Sequence, residues 1–285
     1  MLELHAATVL LQWAAGGLLF GWVTTRRREV GIGYGWSIRV TYGLMALAAL
    51  VIGLRFGVQP VREIGSVGVV LGVILSLGQS WTRRSAGVEQ QRELVEARTT
   101  RVAAMTGIER EARTKDDTGP EFDPRLDLIA PAFGFLGILA AGFSAGDPVW
   151  LQTARLVVGA LFLGAVSDAM LLGHWYLVQP GMSRAPLLEL VKWTGALWAP
   201  HVLLLLIPTG MISSLNGTIE DGYNGMLGWF WIACVVTTIA LVYVTLLALK
   251  EPQYSAVMAA TGLLYLAILT AFGVDLVARA ILSLA

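Results

Sequence analysis

The chain has 285 residues, 56% hydrophobic and 14% charged, where an ordinary soluble domain has about 45–50% and about 25%. Twenty basic and twenty acidic residues cancel, so no global field points to nucleic acid. This composition argues against a soluble globular domain and for an all-α, polytopic helical membrane protein.

A membrane span needs about 20 mostly apolar residues, and the sequence offers about eight transmembrane helices. The first covers about 5–24. Glu3 and His5 precede it and Arg26, Arg27 and Arg28 follow it, the reverse of a secretory signal, so an uncleaved span with its N-terminus outside is expected. Gly17 and Gly21 stand four apart within it, a spacing that suits close helix contact inside one bundle. Gly31, Gly33 and Gly35 lack the spacing and the preceding strand of a nucleotide loop. The second and third spans are expected at about 38–56 and 64–81, the third with Gly68 and Gly72 at the same close-packing spacing.

Thr82–Leu126 then breaks the apolar pattern with nine basic and nine acidic residues. Val88, Leu94, Val95, Val102, Met105 and Ile108 recur at near-heptad spacing, which predicts an amphipathic helix from Ser85 to Arg113. Asp116–Pro124 is expected to be a linker. The chain therefore divides into 1–81 with three spans, 82–126 as one cytoplasmic amphipathic helical insert, and 127–285 with five spans. Arg83–Arg125 reads either as a solvated helix on the membrane face or as a docking surface for a soluble or membrane redox subunit.

The later spans are expected at about 127–145, 150–178, 185–207, 225–249 and 255–281. Cys234 is the single cysteine, inside an apolar run, and no metal-ligand spacing is present. Asn216-Gly217-Thr218 fits a short glycosylation pattern in an outer loop. Asp275 and Arg279 are four apart on one helical face and are expected to pair, with Arg155 at similar depth. With both termini outside, 15 Lys and Arg fall on the inner side and four on the outer. That ratio predicts a multi-pass protein of a bacterial-type plasma membrane, its insert in the cytoplasm.

The hairpin from Asp168 to His201 is where chemistry is expected, because ionisable groups in hydrocarbon are costly and usually paired or functional. The turn Gln179-Pro180-Gly181 joins its helices. Residues equally distant from that turn should share a depth, which sets His174 opposite Glu189, roughly 6 Å inside the inner boundary. Lys192 falls roughly 10 Å in, within reach of Asp168 at roughly 15 Å. The expected catalytic set is thus His174, Glu189, Asp168 and Lys192. Trp175, Tyr176, Trp193 and His201 are the residues expected to face a flat cofactor ring, with Trp198 nearby. Quinone is the cofactor this pattern would suit. Haem is disfavoured, since His174 and His201 lie at different depths. A pattern of charge pairs that only fixes helix packing explains the same residues.

Three readings follow. In the first, the chain is a membrane subunit of a respiratory or redox complex in electron transport, anchoring a partner and handling quinone or protons at His174 and Glu189. In the second, it is a stand-alone proton- or ion-coupled transporter with Asp168 as the coupling site. In the third, it is a structural or assembly membrane protein without chemistry.

Overall fold

The computed structural model describes residues 5–84, 99–100, 103, 107, 122–179, 182–208, 210–220 and 222–284. The elements are α1 (Ala6–Thr25), α2 (Ile32–Phe56), α3 (Pro60–Thr82), a 3-10 turn (Pro124–Leu128), α4 (Ile129–Ser144), α5 (Val149–Val178), α6 (Ala185–Leu206), the short α7 (Gly210–Leu215), α8 (Met226–Ala248) and α9 (Tyr254–Leu282). The protein is all-helical, with no strand among the described residues. The amphipathic helix expected at Ser85–Arg113 and its linker fall almost wholly outside the described residues.

Seven of these helices are long and apolar enough to cross a membrane, the fourth counted together with its 3-10 turn. Besides the short α7, the exception is α6, the expected sixth span. Its 22 residues reach about 33 Å, enough for a hydrocarbon core of about 30 Å. Glu189, Lys192, Pro200 and His201 make it less apolar than its neighbours.

Burial is inverted relative to a water-soluble protein. Leu44, Leu71, Leu269 and Trp229 are each at least 60% exposed, whereas Arg62, Asp168, His201, Asp275 and Arg279 are almost fully buried. Large apolar side chains on the outside and charge on the inside suit a bilayer as the surrounding solvent. The molecule is a multi-pass helical membrane protein.

Two helices form the centre. In α5, 72% of the most apolar window is buried, and in α1 67%, against 28% for the peripheral α8. Small residues let these two approach: a Cβ at Gly164 would fall 2.2 Å from the backbone of Gly16, and one at Gly16 would fall within 1.8 Å of the Ala160 carbonyl. α2 and α4 flank α1, while α6 and α9 flank α5. Gly68 meets Phe133 and Gly72 meets Ala130 across α3 and α4, so this glycine pair makes contacts within the bundle.

Successive long helices alternate in direction. The insert therefore leaves and rejoins the bundle on one face, here the insert face, shared by the end of α1, the start of α2 and the α5–α6 turn. On this face Arg184 donates to the carbonyls of Leu249, Glu251, Pro252 and Gln253, capping the exposed end of α8.

Candidate functional site

Asp168 lies on the α5 face turned to α1 and α2, about two-thirds of the way along the helix from its start. It is fully buried. The Tyr42 hydroxyl of α2 donates to Asp168 Oδ1 at 2.6 Å. Oδ2 has no hydrogen-bond partner, and no basic side chain forms an ion pair with this carboxyl among the described residues. Tyr42 reaches it because Gly17 leaves room: a Cβ there would sit 2.0 Å from the Tyr42 ring. One turn further along α1, a Cβ at Gly21 would stand 3.5 Å from Asp168 Oδ2.

Gly21 also lines a small void of about 10 Å³, bordered by α1, α2, α3, the 3-10 turn and the start of α4. Thr25, Gly35, Arg39 and Asp127 line both this void and a wider cavity of about 90 Å³ beyond it. Arg39 and Asp127 form a buried two-point ion pair, Nε to Oδ1 at 2.8 Å and Nη2 to Oδ2 at 2.7 Å. The Phe122 ring lies 5.1 Å from the Arg39 guanidinium and walls the outer cavity. The free oxygen of Asp168 thus faces Gly21, against which Ile38 also packs, and Gly21 in turn borders the void that Arg39 and Asp127 line.

The expected pairings across the hairpin are not the ones the structure holds. Glu189 does not meet His174. Its Oε1 takes Arg26 at 2.6 Å and its Oε2 takes Arg27 at 3.4 Å. His174 Nδ1 and the Tyr265 hydroxyl of α9 share a hydrogen bond of 3.0 Å instead. Asp168 pairs with Tyr42 and not with Lys192, which is exposed and lines an open groove with Arg27, Glu189 and Trp193. Equal distance from a turn fixes depth but not rotation about the helix axis. Asp168 turns to α1 and α2, His174 to α9, and Glu189 and Lys192 to the end of α1.

The aromatic residues likewise spread over several contacts. Trp175 stacks edge-on against Tyr34 at 5.9 Å and donates to Gln179. Tyr176 is buried and donates to the Ser183 carbonyl, closing the hairpin turn. Trp193 meets Phe20 edge-on at 6.0 Å. Trp198 donates to the Val235 carbonyl at 3.1 Å. These four do not enclose one ring slot.

His201 belongs to a separate polar cluster toward the opposite face. It is fully buried, stacked on Phe162 at 4.9 Å, with Nε2 3.6 Å from Asp275 Oδ1. Asp275 and Arg279 pair through two contacts, 2.7 and 3.2 Å. Arg155 does not join them. It donates to the carbonyls of Leu204 at 2.9 Å and Ile207 at 2.5 Å, capping the end of α6. Among the described residues no three His, Cys, Asp or Glu side chains are grouped as a metal would require.

Sequence reasoning missed Tyr42, the Arg39–Asp127 pair and the buried Arg62–Glu63 pair, whose Nη2 and Oε1 are 2.5 Å apart. The Arg39–Asp127 pair joins residues 88 positions apart, which only packing brings together, and the last pair was hidden by a span boundary. α3 begins at Pro60, so Arg62 and Glu63, which precede the span expected at 64–81, lie inside a helix, and Arg39 stands near the expected start of its span but well within α2. The chain was compared with family models, curated proteins and solved structures, and none matches.

Proposed function

We propose that this chain is a proton-coupled membrane transporter in which Asp168 takes up and releases the coupling proton. One observation carries the reading: a fully buried carboxyl with one oxygen held by Tyr42 and the other unpartnered, facing Gly21 and the void behind it. Burying an ionised carboxylate costs several kcal/mol unless it is compensated. An intramembrane acid in such a place marks a proton or ion pathway more often than packing. Tyr42 orients the carboxyl, and its hydroxyl is itself an exchangeable donor and acceptor.

Access runs from the insert face. The Arg39–Asp127 pair borders both the outer cavity and the inner void, and Gly21 borders the inner one. Opening of the ion pair would connect Asp168 to the aqueous side, and its closure would isolate the carboxyl. The Lys and Arg distribution favours a bacterial-type plasma membrane with the insert in the cytoplasm and both termini outside. Protons would then enter or leave Asp168 on the cytoplasmic side.

A second reading makes the chain a subunit of a respiratory assembly that docks a partner on Arg83–Arg125. It is favoured by the position of the outer cavity, walled by Phe122 where the insert rejoins the bundle and suited to a quinone ring. Quinone or redox subunits travelling with the chain through gentle-detergent purification would separate this reading from transport.

The test of the first reading uses proteoliposomes loaded with a pH-reporting dye and given an imposed pH gradient. Wild type is expected to move protons faster than empty vesicles, Asp168→Glu to retain part of that flux, and Asp168→Asn to fall to the empty-vesicle rate. Equal flux in wild type and Asp168→Asn would remove Asp168 from the pathway.

A further inference from the structure

The groove that separates Lys192 from Asp168 has a chemistry of its own. Ala185, Leu188, Glu189, Lys192, Trp193 and Ala196 recur every three or four residues, so they form one stripe of α6, and with Arg27 they line one open groove. Glu189 holds two guanidiniums at once, Arg26 on one oxygen and Arg27 on the other, and Arg27 remains half-exposed. Lys192 stands about one turn deeper along the same stripe and is exposed. The groove is thus lined by two cations, Arg27 and Lys192, and by one carboxylate, Glu189, which Arg26 also holds, so it carries an excess of positive charge.

Its surroundings are those of a lipid-facing surface near a membrane boundary. Trp193 is 45% exposed, and Leu203 further along the helix is 57% exposed. Lys192 lies roughly 10 Å from the start of α6, a depth at which an uncompensated cation is costly. Trp favours the level of the lipid headgroups, where its polar edge and apolar ring are both satisfied.

We propose that this groove binds the headgroup of an anionic phospholipid, with Arg27 and Lys192 on the phosphate and Trp193 against the upper acyl chain. A guanidinium fixed by a carboxylate presents its remaining N–H groups in a set direction, and a lysine supplies a mobile point charge. Together they suit a phosphodiester. Basic pockets between membrane helices recognise anionic headgroups on these terms. The proposal does not depend on the role of Asp168.

The test titrates the purified full-length chain, in neutral detergent, with phosphatidylglycerol, with phosphatidylcholine and with inorganic phosphate, and follows bound lipid by native mass spectrometry and stability by thermal unfolding. Phosphatidylglycerol is expected to bind and stabilise, and the other two are not. Arg27→Gln and Lys192→Gln are each expected to weaken binding about fivefold, while Lys192→Arg and Asp168→Asn leave it intact. Equal stabilisation by phosphatidylcholine or by free phosphate would overturn the proposal. So would unchanged phosphatidylglycerol binding in folded Arg27→Gln and Lys192→Gln variants.

Discussion

Asp275 and Arg279 show how single residues are kept charged in this interior. Each is about 1% exposed, and each is the other's partner through two contacts. Breaking a buried pair by removing one member leaves an uncompensated charge, at a cost of about 3–5 kcal/mol, whereas removing both costs far less. Arg279→Met is therefore expected to lower unfolding stability in detergent by about that amount, and Arg279→Met with Asp275→Leu to recover most of it. A double variant as unstable as the single one would show that shape, not charge, holds this place. The pair was legible in the sequence because a spacing of four on a helix brings the two together without knowledge of the fold. Asp168 was legible as a candidate, but its partner was not. Tyr42 is 126 positions away, on a helix whose rotation relative to α5 only packing decides.

The same distinction between depth and rotation runs through the helices. Their existence, order and approximate ends could be read from the run lengths of apolar residues. Which face of each turns inward could not, because these helices are apolar around most of their circumference and have no polar stripe to mark the outside. Where small residues occur, packing decides. Gly164 lies against the backbone of Gly16, and a methyl group has no space there. Gly164→Ala is expected to destabilise the bundle by about 1–3 kcal/mol through overpacking. Gly262→Ala, with nothing within 4 Å of the added Cβ, is expected to be neutral or stabilising by up to about 1 kcal/mol through helix propensity. Thermal unfolding of the two variants side by side checks this contrast, and equal effects would contradict the close α1–α5 approach. The glycine pair at Gly17 and Gly21 was readable from spacing alone, yet its use was not: Gly17 makes room for the Tyr42 ring and Gly21 faces Asp168.

For the whole molecule, composition alone indicated the membrane, and the inverted burial of charge and apolar surface agrees with it. Eight spans were expected; seven of the described helices meet the length and apolarity a span needs, and α6 departs because it carries polar groups on two faces. One face turns His201 into the bundle, and the other presents Glu189 and Lys192 to the groove. The fold thereby separates what the sequence had set in one cluster: a central buried carboxyl, a buried cluster toward the opposite face, and a basic groove on the outside. The central claim is that Asp168 exchanges a proton. Infrared difference spectra of the chain in lipid, recorded while the pH is cycled, test it most directly. The account predicts a carboxyl carbonyl band that appears and disappears reversibly with pH, is missing in Asp168→Asn, and is shifted in Tyr42→Phe, which lacks the hydrogen bond to Oδ1. Identical pH-dependent spectra for wild type and Asp168→Asn would contradict it.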